Sequence, residues 1–209
     1  MPKIRFLGNA CIEIIGNRDH IIIDPVFLSA PKIGIERIFL THNHSDHVNQ
    51  EKLAEIRNKF SIKGKDLEIY GPLCVYEELN VDLILIGPDS KITLNNGAVE
   101  VFENECWKAP GCVAYLIEID NKRILHTADS ANFSKQLKDI KDKFDLCFVA
   151  CFESNFSDYL NFLKTAPSDI TIPYHFNHEK EDDAKKLTMY LNDNGINSKF
   201  ISIGLEYEL

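Results

Sequence analysis

Arg37-Ile38-Phe39-Leu40-Thr41-His42-Asn43-His44-Ser45-Asp46-His47 runs from an apolar strand directly into three imidazoles and a carboxylate. The run Arg37–Thr41 has the β-branched and aromatic character of a buried strand, so the histidine cluster begins where that strand ends. Neutral imidazole and carboxylate are the donors that suit zinc, iron or manganese. His42 and His44, two positions apart, can converge on one ion. Asp46 and His47 are neighbours and need a sharp turn to point inward together. A strand-to-loop junction supplies such a turn, and the pair can then reach a second ion nearby. The competing reading is a polar surface loop that happens to hold histidines. The chain has only seven histidines, and the clustering of three of them beside a carboxylate favours a metal anchor.

Outward from this segment, the first part of the chain reads as short strands: Ile4–Leu7, Cys11–Ile15 and Ile21–Asp24, separated by Gly8-Asn9 and by Gly16-Asn17-Arg18-Asp19. Asn49–Phe60 carries Leu53, Ile56 and Phe60 at helical spacing. Strands are expected at Leu67–Tyr70, Leu83–Ile86, Ile92–Leu94 and Ala98–Phe102, with a short helix at Pro72–Leu79. Val113–Ile119 and Arg123–Thr127 read as a hairpin across Asp120-Asn121-Lys122. The last third alternates: helix Ser134–Lys141, strand Leu146–Cys151, helix Phe156–Thr165, strand Ile170–Pro173, helix Glu179–Leu191 and strand Lys199–Ile203. Many strands in each half, with helices concentrated later, predict two sheets packed face to face with helices outside.

Composition narrows the class. The chain has 209 residues, 44% apolar and 26% charged, in the range of soluble globular proteins, and the length suits one domain, residues 1–209. The start, Met1-Pro2-Lys3-Ile4-Arg5-Phe6, leads into a strand without a signal-peptide pattern, and no stretch approaches the roughly 20 apolar residues of a membrane span. A cytoplasmic location without a membrane partner is therefore expected. Acidic residues outnumber basic ones, 32 to 23, for a formal charge of −9. This argues against a nucleic-acid partner gripped through its phosphates and for a small-molecule substrate. The six cysteines include no Cys-x-x-Cys pair, so reduced thiols are the default. Cys11, Cys147 and Cys151 lie in apolar runs and read as core residues.

The motif His-x-His-x-Asp-His over 42–47, preceded by an apolar strand and Thr41, resembles the signature of the metallo-β-lactamase superfamily. Phe6-Leu7-Gly8-Asn9-Ala10-Cys11-Ile12 and Ile22-Ile23-Asp24-Pro25 look like its opening hairpin. Leu125-His126-Thr127-Ala128-Asp129-Ser130 is similar to the segment carrying its bridging aspartate, and Pro173-Tyr174-His175-Phe176-Asn177 to its final ligand segment. Order and spacing resemble the small stand-alone members, nearest to the branch that includes ascorbate-6-phosphate lactonase. The resemblance implies an α+β fold, a four-layer αββα sandwich. It implies that His42 and His44 bind metal one, that Asp46, His47 and His175 bind metal two, and that Asp129 bridges them. A carboxylate has two oxygens and can span two cations, which an imidazole cannot. Two cations roughly 3.5–4 Å apart can hold a hydroxide between them as nucleophile. Asp46 and Asp129 are thus also the catalytic candidates, and Zn2+ (one or two ions, with Mn2+ or iron as alternatives) is the expected cofactor. Asn177 and His178 are candidate substrate contacts, with Tyr174, Asn132 and Trp107 near the mouth. His126 reads as a supporting or core residue rather than a ligand.

Two departures stand out. The family usually gives metal one a third histidine after a strand, yet no histidine occurs between His47 and His126. The expected position falls best on Cys106, whose thiolate would be a good zinc ligand. A shift of register would offer Glu105 or Glu103, and a site with no replacement is the third reading. The usual glycine before the bridging aspartate is Ala128, which costs little at negative φ and is strained otherwise. The leading expectation is a hydrolase acting with a metal-bound hydroxide on a small ester, lactone or phosphoester. A di-iron redox or sensing protein and a catalytically degenerate metabolite-binding module are the alternatives on the same fold.

Overall fold

Isoleucine and leucine occupy both faces of the early strands, so each of those faces must be covered. The computed structural model describes residues 1–79, 82–130 and 132–209. In it β1 (Lys3–Gly8), β2 (Cys11–Ile15) and β3 (His20–Ile23) form an antiparallel meander. β4 (Arg37–Phe39) adds to β3 in parallel; helix α1 (Gln50–Lys59) then leads to β5 (Glu68–Gly71), and helix α2 (Leu73–Leu79) to the edge strand β6 (Ile84–Leu85). Alternation decides the layers. Ile21, Ile23 and Phe39 face the core between the sheets, while Ile22 and Ile38 pack under Leu53 and Ile56 of α1 and Val75 of α2. Asn49 starts α1 by accepting the Lys52 N–H at 2.8 Å, a cap worth about 1 kcal/mol.

The second sheet begins with antiparallel strands β7 (Lys91–Leu94), β8 (Gly97–Glu103), β9 (Val113–Ile119) and β10 (Lys122–His126). After the one-turn helix α3 (Lys135–Lys138), β11 (Phe144–Ala150) joins β10 in parallel. Helix α4 (Phe156–Thr165) leads to β12 (Ser168–Tyr174), parallel to β11, and α5 (Glu181–Asp193) follows. The buried Ala184, Leu187 and Leu191 of α5 share one face, as the sequence spacing predicts. A short strand, β13 (Glu206–Glu208), returns to pair with β1. The sheet orders are β13-β1-β2-β3-β4-β5-β6 and β12-β11-β10-β9-β8-β7. Helices cover both outer faces, giving the four-layer αββα sandwich of an α+β fold.

Three elements differ from expectation. Lys199–Ile203 is not a strand. Ser198 bridges Thr171 and the Lys199 N–H donates to the Thr171 carbonyl at 3.0 Å, after which the chain leaves for the other sheet. Gly204, at φ +83, turns it so that its N–H reaches the Phe6 carbonyl at 2.7 Å. A segment that crosses between two sheet edges follows neither ladder, and pairing resumes at the charged Glu206–Glu208, which no hydrophobic pattern marks. The helix expected over Ser134–Lys141 is only one turn, with Leu137 its sole buried residue. No helix among the described residues is long and apolar enough to cross a membrane. At one end β9 ties the sheets together: the Tyr115 hydroxyl donates to the Leu40 carbonyl, and the Val113 N–H to the Thr41 carbonyl at 3.1 Å.

Candidate metal centre

The carboxyl ends of β3, β4, β10 and β12 meet at that same end of the sandwich. They deliver Asp24, the cluster 42–47, Asp129 and His175. Asp24, Ala128 and His175 all have left-handed backbone, with φ of 50, 47 and 67, which turns the chain abruptly after each strand. For an alanine this conformation costs roughly 1–2 kcal/mol, so Ala128 carries the strain that a glycine there would avoid. The turn that Asp46 and His47 require is present, with the His47 and Val48 N–H groups donating to the His44 carbonyl at 3.0 and 3.1 Å.

Ring nitrogens and carboxylate oxygens converge in two groups. His42 Nε2 lies 3.1 Å from His44 Nδ1 and 3.9 Å from Asp129 Oδ2. His47 Nε2 lies 3.2 Å from His175 Nε2, which is 3.3 Å from Asp46 Oδ2. Asp129 Oδ2 is 3.1 Å from both His47 Nε2 and His175 Nε2, so this carboxylate sits between the groups. The donor atoms of His42, His44 and Asp129 lie within 4.8 Å of one another, as do those of Asp46, His47 and His175.

Behind these groups stands a layer that aims them. Asp24 is fully buried; it accepts the Thr41 N–H at 2.8 Å and the Thr41 hydroxyl at 2.7 Å, and its Oδ2 holds His47 Nδ1 at 2.8 Å. Thr41 Oγ1 also lies 2.9 Å from His42 Nδ1. With Nδ1 of His42 and His47 engaged from behind, both rings turn Nε2 toward the centre. In the sequence Asp24 reads only as the end of a strand in the opening hairpin. Its orienting role depends on a contact across 23 positions.

Charge follows from this packing. Burial, reinforced by His47, holds the His42 imidazole down at about 4. Burial also opposes the charged form of His175, but Asp129 and Asp46 override it and raise this imidazole to about 9. His47 is raised well above its usual range by Asp129 and Asp24, again against burial. Asp129 is held well below the carboxylate range by His47 and His175 despite its burial, and the hydrogen bond from His175 takes Asp46 to about 2. Facing imidazole nitrogens at 3.1–3.2 Å need a proton or a cation between them. Asp129 Oδ1 is buried with no hydrogen-bond partner. This donor set fits divalent cations: His42, His44 and Asp129 around one, Asp46, His47, His175 and Asp129 around the other.

The position of the expected third histidine is taken by a cysteine pair. Cys106 is bonded to Cys112, where the sequence reading expects reduced thiols; Cys11, Cys74, Cys147 and Cys151 are free. Six residues separate the pair, and they meet because the chain folds back, with Cys106 bridging Ala109 and the Asn104 N–H donating to the Cys112 carbonyl at 3.2 Å. Both sulfurs lie within 4.8 Å of a His42 ring nitrogen. Of the alternatives, Glu105 lines the cavity over the centre and accepts from the Asn132 side chain, and Glu103 is the last residue of β8.

A cavity of about 820 Å³ opens over the centre, lined by His44, Asp46, Asp129 and His175 together with Glu105, Cys106, Trp107, Asn132, Phe152, Ser154, Asn155 and Lys180. Asn132 and Trp107 are where the sequence reading puts them. Asn177 and His178 do not line the cavity. The Asn177 side chain caps a short helical turn, accepting the Glu179 and Lys180 N–H groups at 3.0 and 3.2 Å, and His178 is exposed beside Glu181. Tyr174 is fully buried rather than at the mouth. His126 is buried beneath the centre, its ring 4.8 Å from that of Tyr174, and burial keeps it neutral, at about 4. Phe152 and Lys180 carry no local sequence signal; only tertiary packing brings them to the rim.

The chain belongs to the beta-lactamase superfamily: the sequence model of the beta-lactamase superfamily domain matches residues 5–177, a span containing every candidate ligand. It is 28% identical over 199 residues to a UPF0173 metal-dependent hydrolase of Staphylococcus epidermidis, covering 84% of this chain and 86% of that one. Among solved structures, the metallo-beta-lactamase fold protein YhfI from Bacillus subtilis is similar over 100% of both chains, with a TM-score of 0.78 at 17% identity. CmlA, a diiron beta-hydroxylase from Streptomyces venezuelae, gives a TM-score of 0.76 at 14% identity, over 100% of this chain and 54% of that one. At such identities these structures show the fold alone.

Proposed function

We propose that this member of the superfamily is a cytoplasmic metal-dependent hydrolase acting on a small ester, lactone or phosphoester, with Zn2+ as its metal. The observation that carries this reading is the pair of donor groups sharing Asp129 at the floor of an 820 Å³ cavity. Divalent ions held there would supply a Lewis acid and a water that ionises near neutral pH. The chain's own residues do the rest. His42 and His44 on one side, and Asp46, His47 and His175 on the other, hold the charge, while Asp129 ties the two groups together. Asp24 and Thr41 lock the imidazole orientations. Trp107 and Phe152 form an apolar wall, and Lys180 offers an ammonium to a carboxylate or phosphate. An acidic surface and a cavity of this size favour a small metabolite over a polymer.

The test is turnover of lactone, carboxylic-ester and phosphoester panels by protein loaded separately with Zn2+, Mn2+ and iron. Hydrolysis in one panel, abolished by chelator and by Asp129→Ala, is the expected result. A protein that holds its metal yet turns over nothing in any panel overturns the hydrolase reading.

A further inference from the structure

The Cys106–Cys112 pair has no part in the hydrolytic reading, yet it occupies the place where metal one lacks a donor. Cys112 is buried, while Cys106 lines the cavity. Cys112 Sγ lies 3.8 Å from His42 Nδ1, the nitrogen already occupied by Thr41, so it stands on the rear side of that ring. His42 Nε2 faces His44 and Asp129. Cys106, which lines the cavity together with His44 and Asp129, is the sulfur on the side of the centre. The loop carrying it is held in place: the Asn104 side chain donates to the Thr127 carbonyl at 2.6 Å, two residues before Asp129.

We propose that Cys106, when reduced, is the missing donor of metal one, and that closing the Cys106–Cys112 disulfide withdraws it. The thiol state of the pair then sets whether the centre holds two ions or one. Metal two keeps Asp46, His47, His175 and Asp129 in either state. The redox partner is a low-molecular-weight disulfide. The half-buried Cys106 thiolate, reached through the cavity, attacks it, forming a mixed disulfide and releasing one thiolate. Cys112, having lost its proton to solvent, then attacks Cys106 Sγ, forming the internal bond and releasing the second thiolate. Two electrons pass from the cysteine pair to the small disulfide, and a dithiol reverses the exchange.

This inference rests on the metal-centre reading above, and its test separates the two. Full-length protein is prepared with dithiothreitol or with oxidised glutathione, desalted, counted for free thiols and loaded with Co2+, which reports sulfur ligation through thiolate-to-cobalt charge-transfer absorption. Reduced protein is expected to bind two ions and show that absorption; oxidised protein, with two fewer thiols, is expected to bind one ion without it. Under reducing conditions Cys106→Ser should bind one ion and Cys112→Ser two, the latter retaining the absorption. The single tryptophan, Trp107, adjoins Cys106, and its emission should respond to the second Co2+ only in the reduced protein. If one or two ions bind regardless of thiol state and Cys106→Ser matches wild type, the inference is overturned while the metal centre stands. If no ion binds in any state, the metal-centre reading falls and this inference falls with it.

Discussion

Asp24 is not among the residues lining the cavity over the centre, yet three donors depend on it: the Thr41 N–H and hydroxyl and the Nδ1–H of His47. Asp24→Asn would present an amide N–H to His47 and favour the tautomer protonated at Nε2, where the ion must bind. Metal affinity is expected to fall about 10–100-fold with the fold retained, as read by competition with a chromophoric chelator; unchanged affinity would remove the orienting role. The charges of the centre set a pH dependence as well. In the metal-free protein His175 keeps its proton up to about pH 9, so below that pH an ion must displace it. The His175 proton alone makes apparent affinity rise by about tenfold per pH unit up to about pH 9, and the proton on His47, also raised, steepens that rise. The sign for stability is opposite. A folded-state value raised above 6.5 stabilises the metal-free protein fully below pH 6.5, and that contribution is lost as pH rises through 9. Chelator-treated protein should thus melt lower at pH 9.5 than at pH 6 on account of this residue, and calorimetry at the two values checks it.

At the scale of the elements, the hairpins that aim strands at the centre depend on a few backbone positions. Gly97 opens β8 at φ +150, and a Cβ there would lie 1.8 Å from the Glu118 carbonyl oxygen of β9. Since that contact is with backbone, a side chain cannot move to relieve it. Gly97→Ala is expected to cost about 3 kcal/mol or more, seen as a lowered urea midpoint; a loss below about 0.5 kcal/mol would show that the hairpin adjusts freely. Most elements were legible because their apolar residues form a continuous run, as in β9, or repeat near 3.6, as in α5. β13 and the crossing segment before it were not. Glu206-Tyr207-Glu208 pairs because β1 offers it an edge, and an edge belongs to the tertiary fold rather than to the local sequence.

For the molecule as a whole, the centre is a joint between two sheets. His42, His44, Asp46 and His47 follow β4 of the first sheet, whereas Asp129 and His175 follow β10 and β12 of the second. An ion bound across them stabilises the packing of one sheet on the other. At a free concentration of 100 times Kd the gain is about 2.7 kcal/mol, or roughly 2–4 °C in Tm per kcal/mol for a chain of this length. Calorimetry with Zn2+ and with chelator measures it, and a Tm indifferent to metal would sink the joint as a metal site. The sequence alone determined the layered class, because strands apolar on both faces must be covered on both. It also determined the donor cluster of 42–47, because those residues are neighbours in the chain. Tertiary structure alone decided which distant side chains complete the centre: Asp24 behind His47, Lys180 and Phe152 at the rim, and Cys112 against Cys106. Each of those contacts is set by where strand ends converge and how loops fold back over them, which no local pattern records.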